Sequence, residues 1–109
     1  MAVGNAPVLE TLIDINAASL ARTELDPRAL MLVRLAALAA VDAPVSSYLV
    51  HLGPSAEAGL TAADAEDVLV AVAPIVGTPR AASAAAKIVE ALGLAIEMAQ
   101  EDAEAAQRR

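Results

Sequence analysis

The residues able to do chemistry gather in one short stretch, VDAPVSSYLVHLG, Val41 to Gly53. It holds the only histidine, His51, and the only tyrosine, Tyr48, with Ser46 and Ser47 beside them. On a helix, Ser47 and Tyr48 precede His51 by four and three residues and share its face. An imidazole changes charge near neutral pH and can take or give a proton. A neighbouring phenol can donate a hydrogen bond to a bound oxyanion. Ser47 as a nucleophile would need a third group to orient the imidazole, and none is visible in the sequence. The structural alternative is that His51 and Tyr48 hydrogen-bond to backbone at a subunit contact.

Arg34 is the second candidate, a cation in an otherwise apolar segment, LMLVRLAALAAV. Its planar guanidinium could hold the carboxylate of a small ligand through two parallel bonds. It could equally pair with a carboxylate of a neighbouring helix or subunit, with Asp14, Asp64, Glu66 and Asp67 available, because an unpaired buried charge is costly. Arg80 follows GTP at a helix start, where its charge opposes the helix dipole. That conflict points to a carboxylate or anion nearby, or to a solvated side chain. GTPR lacks the glycine spacing and the Lys-Ser/Thr ending of a phosphate loop. One histidine and scattered carboxylates give no metal-ligand spacing, so no metal and no cofactor are expected.

These residues must be positioned by a small chain. It has 109 residues, one domain's length. Hydrophobic residues make up 58% but aromatic ones only 1%, so Ala, Leu, Val and Ile must build the core. A domain of this size buries only about 60–70% of its unfolded surface. The apolar surplus therefore argues for self-association. Net charge is −7 and the seven basic residues are scattered, which argues against nucleic acid as a partner. MAVGNAPVLE has no basic n-region, and Arg34, Asp42 and Pro74 interrupt the apolar runs short of a membrane span. A cytoplasmic protein is expected. Cysteine is absent, which removes disulfides, thiolate metal sites and thiol redox chemistry together.

The punctuation reads as a string of helices. PVLETLIDINAASLAR carries helically spaced apolar residues from Val8 to Leu20. Asp26 as N-cap and Pro27 at the first helical position start a second helix, apolar nearly all round and so expected to be central. Asp42 and Pro44 open a third, which Gly53 and Pro54 should break or kink and Gly59 should end. Thr61 and Asp64 have capping-box spacing for a fourth, with Pro74 in its last turns and Gly77 at its end. Thr78 as cap and Pro79 start the last helix, which runs on with Gly93 as a candidate break and an i,i+4 pair at Glu104 and Arg108.

From Leu25 onward the order of these signals resembles the carboxymuconolactone decarboxylase family, which includes the AhpD-like thiol peroxidases. The matching pieces are LDPRALMLVRLAALAA, a helix carrying His51, and EAGLTAADAEDVLVAVAPIVGTPRAASAA. The resemblance implies an all-α subunit built round a helical hairpin and assembled as trimers or hexamers. Counting back from His51, the two cysteines of the peroxidase branch fall at Ser47 and Pro44. The glutamate of its preceding helix falls at about Met31 or Leu32. The decarboxylase branch has acidic and histidine side chains just ahead of the final histidine. Here that window is PVSSYLV, with no carboxylate. Of either pattern only His51 remains.

The expectation is a single all-α domain over residues 1–109, an AhpD-like bundle of five to six helices. The family-like core lies at about 25–94 and an acidic helical tail at 95–109. The chain should assemble as a homotrimer or hexamer and is not a thiol peroxidase. If catalytic, it performs cofactor-free, decarboxylase-like acid–base chemistry on a small carboxylate or lactone. His51 then moves the proton and Tyr48 or Arg34 holds the anion. The alternative is a non-catalytic oligomeric scaffold or small-ligand-binding module.

Overall fold

The structure is a computed structural model that describes residues 6–108; Met1 and the rest of residues 1–5, with Arg109, lie outside it. Five helices follow one another: α1 (Ala6–Arg22), α2 (Pro27–Ala40), α3 (Val45–Glu57), α4 (Ala62–Val76) and α5 (Thr78–Gln107). No strand occurs among the described residues. α2 packs on α3, α4 and α5, so it is the central helix its composition predicts. One side of it stays uncovered all the same, where Val33 and, at its C-cap, Val41 are exposed.

Local chemistry sets most of the boundaries. The Asp26 carboxylate accepts from the Ala29 amide at 2.8 Å and Pro27 occupies the first turn, as expected. Between α2 and α3 the chain turns at Asp42, φ 51°, a conformation aspartate adopts more readily than most residues. That corner is tied to α5. The Asp42 carboxylate accepts from Ser83 at 2.7 Å and from Lys87 at 2.9 Å, and Lys87 also donates to the Ala43 carbonyl.

α3 does not break at Gly53 and Pro54. It continues to Glu57, because packing along α5 outweighs the one backbone bond that proline cannot make. It ends as expected at Gly59, φ 85°, in a Schellman turn: the Gly59 amide donates to Ala56 and the Leu60 amide to Ser55. The capping box at Thr61 and Asp64 is fully formed, and α4 runs through Pro74 to stop at Gly77. Thr78 is the first residue of α5 rather than its cap; Gly77 caps it through backbone alone, without a side-chain bond. Gly93 does not interrupt α5, which runs unbroken for 30 residues. At its end the Arg108 amide, not its guanidinium, meets Glu104, so the expected side-chain pair is not formed.

The core is unusually fine-grained. Tyr48, 2% exposed, sits among Ala39, Ala43, Ala84 and Ala91, with leucine, valine and isoleucine side chains around them. Ala84 and Ala91 lie seven residues apart on one face of α5, and their small size lets α3 approach closely round the single phenol ring. α1 takes no part. It packs on no other helix, and its large apolar residues remain 47% to 66% exposed.

Candidate active site at the α3 cavity

α3 brings three of the predicted residues together. His51 is half-buried, and its Nδ1 lies 2.7 Å from the backbone carbonyl of Ser47, one helical turn earlier. A carbonyl oxygen only accepts, so this bond places the hydrogen on Nδ1 and leaves Nε2 of the neutral ring as the proton acceptor. Ser47 thus serves through its backbone.

Tyr48 and His51 both line a cavity of about 560 Å³ between α3, α4 and α5, closed from α2 by Met31 and Leu35. Tyr48 is the largest buried side chain, and its hydroxyl has no hydrogen-bond partner. Burial, aided by the negative charge of Asp42, raises its pKa above the ordinary 10, so the phenol is held protonated as a donor. Leu52, Leu69, Ile88, Leu92 and Ile96 supply much of the remaining wall.

Arg34 is not part of this site. It reaches outward to α1, donating to Asn16 Oδ1 at 2.8 Å and Ser19 Oγ at 3.0 Å. The carboxylate pairing expected of it falls instead to Arg28, whose fork meets both oxygens of Asp64 at 2.7 and 3.2 Å and also the Gly59 carbonyl. The reason is position: Arg28 stands at the start of α2 opposite the start of α4, whereas Arg34 sits two turns on, facing α1. Arg80 lies exposed at the start of α5, and its charge adds to those lowering the Asp42 carboxyl.

One cavity residue escaped the sequence reading. Glu66 enters there only as a carboxylate within reach of Arg34, yet it lines the cavity with His51. The signal was present: Ala62, Ala65, Glu66 and Leu69 form one helical stripe, and all four face the cavity. Among the described residues no group of three His, Cys, Asp or Glu side chains could hold a metal, and no helix is long and apolar enough to cross a membrane.

The profile of the Carboxymuconolactone decarboxylase family matches residues 6–91. The chain belongs to that family. Neither the curated proteins nor the solved structures contain a match to it. The family match takes in α1 and ends at the Ala91 that packs in the Tyr48 core. Within the family this chain lacks cysteine altogether. Where the peroxidase branch resembled above has its thiols, Pro44 is the N-cap residue of α3 and Ser47 is the carbonyl partner of His51.

Proposed function

We propose that this carboxymuconolactone decarboxylase family member is a cytoplasmic homo-oligomer, a trimer or hexamer, acting on a small lactone or carboxylate held in the α3 cavity. It does so by acid–base chemistry without a metal or cofactor, as a decarboxylase-like lyase. The observation that carries this reading is the Nδ1 bond from His51 to the Ser47 carbonyl, which leaves Nε2 as the base in the cavity wall. In the lyase reaction Nε2 of neutral His51 takes the proton of the substrate's carboxyl group, the bond to the departing CO2 breaks and its electron pair passes to the adjacent carbonyl oxygen. The Tyr48 hydroxyl is buried out of reach of that oxygen, so Tyr48 contributes wall rather than a bond. Charged His51 then returns a proton from Nε2 to the carbon.

Self-association is supported by surface area. The chain exposes 7557 Å², about a third more than the roughly 5,600 Å² expected of a stand-alone protein of its mass. A second reading, binding without turnover, is favoured by the positions where the family resemblance places its reactive groups: Pro44 and Ser47 cannot form a thiolate, and Met31 and Leu32 cannot move a proton.

Turnover of candidate lactones and carboxylates by the wild type and His51→Gln separates the two. Catalysis predicts product from the wild type and a loss of about a hundredfold or more in the variant. Saturable binding with equal, background turnover in both proteins would establish the binding module instead.

A further inference from the structure

We infer that α1 of a second copy of the chain lies along the groove between α3, α4 and α5 and closes the cavity over His51, so that the site is completed between subunits. This rests on the self-association and the α3 site proposed above and says where the two meet. At about 100° per residue, Val8, Leu9, Leu12, Ile13, Ile15 and Leu20 cover about 160° of the circumference of α1, a wider arc than one packed face requires. All of them are exposed, because α1 packs on no helix of its own chain. The only polar residues inside that arc, Asn16 and Ser19, are already bonded to Arg34. Glu10 and Asp14 lie on the opposite side, so burying the arc would bury no charge.

The groove supplies the complement. Its floor is α2, through Met31 and Leu35, and its lining is largely apolar. Val89 and Ile96 of its α5 wall are 70% and 59% exposed, so nothing in the same chain covers them. Glu66 is the one carboxylate in the lining and is itself exposed. Residues 85–99 of α5 run along the groove for about 21 Å, against about 25 Å for the length of α1. An apolar helix seated in an apolar groove of its own length is a recurrent mode of recognition. The areas agree as well. The surplus over a stand-alone protein of this mass is about 1,900 Å² per chain. That covers two half-interfaces of roughly 800 Å², one given by α1 and one by the groove. A copy that gives α1 to one neighbour and takes it from another makes a head-to-tail contact, the kind that closes as a ring.

The chain has no cysteine, so two introduced thiols report one contact. Ile13 lies midway along α1 and Leu92 midway along the groove, so the two meet whichever way the helix runs. Full-length copies carrying only Ile13→Cys are coexpressed with tagged copies carrying only Leu92→Cys, and the assembled protein is oxidised. A mixed disulfide is expected on a non-reducing gel, and far less of it when Glu10→Cys on the far side of α1 replaces Ile13→Cys. A second measurement needs no cysteine. Diethyl pyrocarbonate acylates accessible imidazole, and the single histidine gives one ring resonance by which to follow it. His51 of the assembled wild type should react at least about tenfold more slowly than His51 of Leu12→Glu with Ile13→Glu, a variant first checked to be helical by circular dichroism.

Equal His51 rates, or mixed disulfide no more abundant than with Glu10→Cys, would overturn the docking of α1. Turnover by the wild type alongside either result would leave the α3 site standing within one subunit. A mixed disulfide and a protected His51 without turnover would support the docking and remove the catalysis alone. A monomeric wild type would overturn the docking together with the self-association.

Discussion

His51 is oriented by an atom every helix has, the carbonyl four residues earlier, so its geometry survives whatever side chain stands at position 47. Ser47→Ala should therefore leave any activity within about twofold of the wild type, whereas a nucleophilic serine would take all activity with it. Asp64 makes a pH prediction. Bonds from Arg28 first, and from the Thr61 amide, hold its carboxyl at about 2. The folded chain thus binds this proton less tightly than the unfolded chain, whose carboxylate titrates near 3.9. The resulting stabilisation is complete above about pH 5 and fades as pH falls towards 2. Asp42, lowered by Lys87 and Ser83, works in the same direction. Thermal unfolding at pH 5 and pH 2.5 should show a large drop for the wild type and a smaller one for Asp64→Asn. Tyr48 acts at the other extreme. Its raised pKa means stability is lost as pH climbs beyond about 10, and its absorbance titration should run later than that of free tyrosine.

The glycines of the helices separate by conformation. Gly93 is mid-helix, and a Cβ there would meet nothing within 4 Å. Gly93→Ala should stabilise the protein by about 0.5–1 kcal/mol, because alanine loses less backbone freedom on folding. Gly59 has as much room but a φ of 85°, so Gly59→Ala should cost about 1–2 kcal/mol. Denaturant midpoints at fixed protein concentration distinguish the two signs, and equal effects would contradict the turn geometry. Thr61→Ala removes the side-chain acceptor of the α4 capping box and should cost about 1 kcal/mol.

At the scale of the whole molecule, the radius of gyration is 15.9 Å, against about 13 Å for a compact domain of this length. α1 accounts for much of the difference, carrying Leu9, Leu12, Ile13 and Leu20 on the face that Arg34 touches through Asn16 and Ser19. If that face is the contact between subunits, sedimentation should give a trimer or hexamer of the 11.0 kDa chain. Leu12→Glu with Ile13→Glu should then release smaller species with α2–α5 still folded. A monomeric wild type would sink the proposal of self-association.

Helix class, the caps at Asp26 and Thr61 and the stops at Gly59 and Gly77 were legible in the sequence, because each depends on residues within a few positions of one another. The shared face of Tyr48 and His51 was legible for the same reason, whereas Ser47 is absent from the cavity lining and meets His51 through its backbone alone. Neither Pro54 nor Gly93 ends its helix, since their local cost is only a few kcal/mol and long-range packing along α3 and α5 overrides it. Partner choice was equally beyond reach: whether Arg28 or Arg34 meets Asp64 depends on where α2 crosses α4. The cavity is the clearest case. That Glu66 should line one cavity with His51 follows from how α3, α4 and α5 pack together, a relation between elements that no local run of residues contains.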